Sequence, residues 1–564
     1  MKKYVLISII LMSVNILTAQ WVADPTQNTL LATGSDDYGE ILISTHPRSA
    51  NTYIQWCGMH SNGWSPSIQR VDSAGTPMWG ANGIHLSRPN FASYSNGVAL
   101  AALTEGGCVS GFVDAAGKCK AVKINEDGTF AWSGGGIVAI QADDCLRTEV
   151  VACHNGGFWI LTFNDNNMYL RFYQSDGTPG GNQITITDTH GNENIAFGQM
   201  VVDDNDNVFV VYMKQHFAFS YYQYKTLCVA KYAINGTQLS QEVQLMNTVA
   251  ISGQICHDVC PDGLGGGYAW ISHPALNDMF EVYMFHFDST GANTISDPRG
   301  LLVGEPDNIN FHGMPSASLE PNSHDLLVAF VETDAVTQTH NAIRVNRVTT
   351  NGTKLWGPNG NVIVPTTSHN ISNLIIDAFP DGTWSSIIYK YDENIVKAVG
   401  INSLGTLIWD TTMSTASGNR IALSAASSGY NNYQTIVAWE GTRNGTFGMY
   451  GQNLQKNGVM GPVVINNDDS GDDSGDGDDD DGEDSTAVQN FDLNLINIYQ
   501  TGNCLHIDGQ DFQQVEVFSI MGQLILTDNT GKHDIALGDI PQGIYIVRVR
   551  TANGKTVNRK VMIR

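Results

Sequence analysis

The chain has 564 residues, 58 of them glycine, and its 56 acidic against 29 basic side chains leave a formal net charge of −27. With 42% hydrophobic and 9% aromatic residues it can bury a sizeable core, which excludes global disorder, and the glycines lack the three-residue period of collagen. So acidic a surface repels phosphates, which excludes nucleic acid as a partner.

The first segment has a basic start, Lys2 and Lys3, an apolar run from Tyr4 to Leu17, and then Thr18-Ala19-Gln20. This is the pattern of a secretory signal peptide over residues 1–19, with cleavage after Ala19. The run is shorter than the roughly 18 apolar residues of a membrane span, so an anchor is not expected. Export permits disulfides. The nine cysteines are Cys57, Cys108, Cys119, Cys145, Cys153, Cys228, Cys256, Cys260 and Cys504, an odd number that leaves at least one without an intrachain partner. Cys256 and Cys260 flank His257 at a spacing zinc sites allow, but no second ligand pair follows, so no metal site is assigned. Isolated buried cysteines, or one or two local bridges, are expected.

Between residues 20 and 466 one turn recurs eight times, with its glycine at Gly75, Gly128, Gly177, Gly236, Gly291, Gly352, Gly405 and Gly458. The fullest copies place a tryptophan four residues on: Gly75 and Trp79, Gly128 and Trp132, Gly352 and Trp356, Gly405 and Trp409. The glycine supplies the positive φ a hairpin turn needs, and the flat indole suits packing between repeats. Each turn follows an alternating apolar strand such as Gly156-Gly-Phe-Trp-Ile-Leu-Thr-Phe163, and earlier still lies another short strand. About four strands per unit, repeated eight times, predict an all-β fold, an eight-bladed (alternatively seven-bladed) β-propeller. Closure into a ring removes the exposed edges a solenoid would leave. The strand-like Asn28-Thr-Leu-Leu-Ala-Thr33 is expected to complete the final blade beside Pro462-Val-Val-Ile465.

Residues 467–486 change character: the stretch from Asn467 to Ser485 holds eleven acids, no base and no apolar residue. Nothing in it can be buried, so it reads as an extended, disordered linker. Its carboxylates offer at most weak, diffuse Ca2+ binding, and no other cofactor is expected. Residues 487–564 carry seven acids and seven bases and several alternating strands, which predicts a small Ig-like β-sandwich. Once the +2 of the signal and the −11 of the linker are set aside, the charge of residues 20–466 is −18.

Two resemblances follow from these residues. The repeats over residues 35–466 resemble propeller-like repeats of exported Bacteroidetes proteins, although units three, four, five and eight lack the tryptophan. The turn is also similar to the Asp-box of sialidases. Its acid stands three residues before the glycine (Asp72 and Gly75), so the order differs, and such boxes are structural. The C-terminal module resembles the type A sorting domain of the type IX secretion system. The residues that carry the likeness are Gly522 and Gln523 after Val517-Phe-Ser-Ile-Met, then Pro541, Gly543 and Tyr545, and Lys560 in a basic last strand. That resemblance implies export through both membranes to the cell surface or beyond, with the secretion machinery and its sortase-like processing enzyme as partners. The family's usual Pro-Asn-Pro start is replaced here by Leu493-Asn-Leu-Ile-Asn-Ile498.

No nucleophile elbow, zinc-helix motif or phosphate loop occurs, so no catalytic residue is named. Asp203, Asp204 and Asp206, or Asp377 and Asp381, are the acids expected to line a central funnel, where a glycosidase would need two carboxylates about 5–9 Å apart. The expected role is binding of an extracellular glycan or protein through loops and exposed aromatics. The alternatives are a secreted glycoside hydrolase or lyase acting in the funnel, and a structural adhesin.

Overall fold

The computed structural model describes residues 21–462 and 496–563, apart from 36, 47–48, 50, 61–62, 87–96, 115, 134–135, 141–144, 165–166, 188–192, 219–220, 252–256, 276–278, 308, 416–422, 429–433, 502–503, 510–511, 520–522, 531, 533, 539, 542 and 552–555. The chain divides into two compact units, residues 1–466 and 467–564. The signal segment and the acidic stretch 467–486 lie outside the described residues.

Among the described residues the first unit holds eight four-stranded antiparallel sheets, or blades. Their innermost strands are Asp37–Thr45, Val98–Ala102, Arg147–Ala152, Glu193–Val202, Asp258–Pro261, Asn310–Glu320, Ile371–Ala378 and Leu423–Ser428. Each packs beside the next, and the eighth packs beside the first, so the blades close into a ring. The unit is a β-propeller. Its second strands explain the packing. In Phe158–Phe163 every residue is buried. Phe158 and Ile160 enter the core shared with blade 2, whereas Trp159 and Leu161 enter the core shared with blade 4. A period of two thus deals successive side chains to opposite neighbours, and a strand covered on both faces is apolar throughout.

The recurring turn ties blades together. At all eight glycines φ lies between 72° and 90°, and each glycine N–H donates to the carbonyl three residues back, as from Gly128 to Asn125 at 2.9 Å. A Cβ added at Gly128 would stand 2.9 Å from Trp79 of the preceding blade, and one at Gly177 2.9 Å from Trp132. Gly405 meets Trp356 and Gly458 meets Trp409 in the same way. The indole N–H also donates to the carbonyl two residues before that glycine: Trp79 to Glu126 (3.2 Å), Trp132 to Ser175 (3.4 Å) and Trp409 to Lys456 (2.9 Å). Where the tryptophan is lacking, smaller residues fill the place, Ser240 against Gly291 and Ile295 against Gly352.

The eighth repeat has no tryptophan of its own, and the N-terminus supplies one. Trp21, 1% exposed, lies against Gly75. Its indole donates to Ser73 O at 2.9 Å, the same bond the other tryptophans make. Thr29–Ala32 then forms the outermost strand of blade 8. Its partner is Thr446–Gln455, with Thr29 opposite Gly451, rather than the expected Pro462–Ile465, of which 463–465 lie outside the described residues. A fourth strand pairs with the third strand of its own blade, and Thr446–Gln455 holds that position.

The second unit has a three-stranded sheet built from Ile496–Thr501, Cys504–Gly509 and Asp534–Ala536, and a four-stranded sheet built from Phe512–Ser519, Leu524–Asp528, Gly543–Thr551 and Thr556–Ile563. Leu505, Ile507, Val515, Val517, Ile535, Leu537, Tyr545, Val547 and Val549 form its core.

Candidate functional site at the mouth of the ring

Antiparallel pairing puts the starts of the inner strands at one end of each blade and the glycine turns at the other. The end where the inner strands begin is termed the mouth. Counting six residues back from the residue that opens the first hairpin of a blade (His46, Leu103, Cys153, Asp203, Glu320 and Phe379) reaches Glu40, Gly97, Arg147, Phe197, Met314 and Asn373. Four of these are non-glycine residues in the left-handed region: Glu40 (φ 49°), Phe197 (54°), Met314 (50°) and Asn373 (50°). Each sits at a register shift between the first two strands of its blade. A β-bulge re-aims the side chain at its apex, and side-chain-bearing residues rarely adopt this conformation without a constraint that holds them there.

The tier is chemically uneven. Arg147 spans blades 1 and 3: its guanidinium lies 3.6 Å from Glu40 Oε1 and 3.1 Å from Glu149 Oε1. Burial pushes Glu40 up to about 7, a rise that Arg147 opposes and Glu149 reinforces. Burial likewise raises Glu149, with Arg147 opposing and Asp258 of blade 5 adding to the rise. Asp258 accepts from Gln199 Nε2 at 3.0 Å. Across the ring Met314 is 54% exposed. The mouth therefore carries an acid–guanidinium cluster on blades 1–3 and apolar atoms on blades 4 and 6.

Gly97 makes room for this cluster. Its φ is 63°, and a Cβ there would stand 2.7 Å from Arg147 Cγ. Gly97→Ala is therefore expected to cost about 1–3 kcal/mol and to displace Arg147. Thermal melting and a crystal structure of the variant check this; an unmoved Arg147 with an unchanged midpoint would refute it.

A second polar cluster lies between blades 5 and 6. His312 is 3% exposed and bridges Glu281 (Nδ1 to Oε2, 2.5 Å) and Glu332 (Nε2 to Oε2, 3.3 Å). Arg344 Nε holds Glu332 at 2.6 Å. Burial disfavours the charged imidazole, yet the bonds to the two carboxylates outweigh it and push His312 up to about 9.

The acids singled out in the sequence do not converge. Asp203 accepts from the Asn205 and Asn207 backbones and pairs with Lys231 at 2.7 Å, closing its own hairpin. Asp206 accepts from the His154 backbone at 2.7 Å and so ties blade 4 to blade 3. Asp381 caps Thr383 and pairs with Lys456 at 3.2 Å. Short acidic side chains satisfy turn amides, which is why such residues gather at hairpins. Asp377 differs, for burial raises it to about 6 beside Ser427. Of the aromatics, Phe130 (44%) and Tyr224 (38%) are exposed, whereas no tryptophan is, because several of those rings are used between blades. His257 is buried, its Nε2 donates to Val211 O (3.2 Å), and burial holds it down at about 4. Cys256 lies outside the described residues, among which no group of three or more metal-ligating side chains occurs.

The sorting-motif residues lie in the second unit. Tyr545 is 8% exposed in its core, and its hydroxyl donates to Pro541 O at 2.8 Å. Gln523 closes a hairpin with Ser519 (2.8 Å), Gly543 pairs with Ile563, and Lys560 pairs with Ile546. Gly522 lies outside the described residues.

Glu40, Arg147 and Glu149 were not singled out in the sequence. The signal available was positional: registering the repeats on their first hairpins puts unlike residues in one column.

Residues 495–564 match the family described as secretion system C-terminal sorting domain. No curated protein matches the chain. Among solved structures it is similar to one from an analysis of two prolyl endopeptidases (13% identity, TM-score 0.40, covering 73% of this chain and 55% of that one). It is also similar to the Dos1 propeller (10% identity, TM-score 0.36, 76% and 88%) and to the GH93 α-L-arabinofuranosidase of Fusarium graminearum (10% identity, TM-score 0.34, 55% and 93%). The chain spans about half the length of the endopeptidase structures it matches. The fold rests on its own sheet topology, and no activity carries over from these proteins.

Proposed function

We infer that this chain is cargo of the type IX secretion route, carried across the outer membrane to the cell surface or the extracellular space by its C-terminal sorting domain. We propose that the exported propeller is a binding protein whose ligand, a glycan or a protein segment, engages the mouth of the ring. The observation that supports this is the row of four left-handed, side-chain-bearing residues at one level of the inner strands, next to the Glu40–Arg147–Glu149 cluster. Bulges held at one level around a ring set side chains for contact, and strain of this kind gathers at functional sites. A guanidinium flanked by carboxylates offers both donors and acceptors to hydroxyls or peptide groups. We also propose that a sortase-like enzyme removes the sorting domain within the acidic 467–486 stretch, whose sequence from Asn467 to Ser485 holds no apolar residue to bury. The intact mass of the exported protein tests this, and retention of residues 487–564 would contradict it.

A second reading, a glycoside hydrolase, is favoured by one arrangement: Glu40 and Glu149 flank the Arg147 guanidinium at 3.6 and 3.1 Å, a carboxylate pair in which burial raises Glu40 as a general acid requires. A glycan array combined with a glycosidase screen on the mature exported protein separates the two. Retention without turnover supports binding, whereas turnover that Glu40→Gln abolishes would overturn the binding reading.

A further inference from the structure

Cys119 opens the third strand of blade 2, and Cys145 lies two residues before Arg147 on the approach to blade 3. The two approach each other through the main chain, for Cys119 pairs with Ile140 and the Cys145 N–H donates to Gly117 O at 3.1 Å. The thiols converge as well. Cys119 Sγ donates to Thr148 Oγ1 at 3.4 Å, the Cys145 thiol is near enough to act on the charge of Cys119, and the Thr162 side chain acts on both thiols. Both residues are buried in one core, at 0% and 4% exposure. The sorting domain routes the chain through oxidising compartments, where adjacent thiols are oxidised.

We propose that Cys119 and Cys145 form a disulfide in the exported protein, fastening the third strand of blade 2 to the segment that delivers Arg147 to the mouth. The oxidant is a disulfide of a thiol–disulfide oxidoreductase. One thiolate attacks that disulfide and expels one of its sulfurs as a thiol. The second thiolate then attacks the mixed disulfide and releases the other, so two protein thiols are oxidised and one partner disulfide becomes two thiols. Burial pushes the Cys119 thiol up to about 12, which makes the folded pair inert to exchange, so the bridge forms before blades 2 and 3 close over it.

The exported protein, denatured without reductant, alkylated and digested, tests this by mass spectrometry. The expected result is a cross-linked peptide pair containing Cys119 and Cys145, absent after reduction. Full alkylation of both residues without reductant would overturn the proposal, as would a bridge from either to another cysteine. The Cys119→Ser and Cys145→Ser variants are expected to melt roughly 2–5 °C lower than wild type under oxidising conditions, and the gap is expected to close when wild type is reduced first. A gap that persists after reduction would show that only packing was lost and would count against the bridge.

Discussion

Trp21→Ala is expected to destabilise the propeller by about 3–5 kcal/mol, the range for truncating a fully buried large aromatic. The indole is 1% exposed, lies against Gly75, and donates to Ser73 across the seam between the last blade and the first. The Trp21 backbone N–H adds a bond to Ala74 O at 2.7 Å. Without the ring, the seam keeps the bond from Gln434 Nε2 to Ser73 O (3.2 Å) and the core that Ile436, Ala438 and Met449 share with Ile54 and Trp56, but loses the largest side chain that crosses it. Trp409→Ala should cost less, because its ring is partly exposed between blades 7 and 8. Thermal melting and limited proteolysis of the two variants check this. Equal losses would mean that the seam is no weaker than any other joint, and a Trp21 loss under about 1 kcal/mol would remove the N-terminus from ring closure.

His312→Ala is expected to cost about 3–5 kcal/mol at neutral pH, since it leaves Glu281 buried without its counter-charge. Glu281 is 0% exposed, and its Oε1 already has no hydrogen-bond partner, so it has little means of compensating. The sign with pH follows from the raised value. The folded pKa of about 9 lies above the ordinary 6.5, so the contribution is complete below about pH 6.5 and is lost as pH rises through 9. Wild type should therefore lose stability between pH 6.5 and 9.5 by more than the variant does. Denaturant midpoints at pH 6, 8 and 9.5 measure the difference, and parallel curves would contradict the assignment.

Much of the fold was legible because one turn has strict chemistry. A positive φ admits little besides glycine, so Gly75, Gly128, Gly352 and Gly405 stand out, and the tryptophans four residues on are the rings that Gly128, Gly177, Gly405 and Gly458 of the following turns receive. The sorting domain was legible for a similar reason: Pro541 and Tyr545 are joined by a hydrogen bond four residues apart, a local constraint with a sequence signature. The role of Trp21 was not legible, because its partner turn is 52 residues away and its blade's remaining strands are some 400 residues away. The mouth was hidden for a different reason. Its bulges are made by Glu40, Phe197, Met314 and Asn373, which share a backbone conformation but no chemistry. The acidic residues that drew notice, Asp203 and Asp381, are conspicuous because hairpins need their carboxylates, and that need keeps them out of the site.

The central claim is that ligand meets this protein at the tier held by Arg147. Isothermal titration of the mature protein with a ligand identified on the array, for wild type and Arg147→Ala, tests it most directly. At least a tenfold weaker affinity is expected for the variant, about 1.4 kcal/mol, with its melting midpoint within a few degrees of wild type. Equal affinity in the two proteins would contradict it.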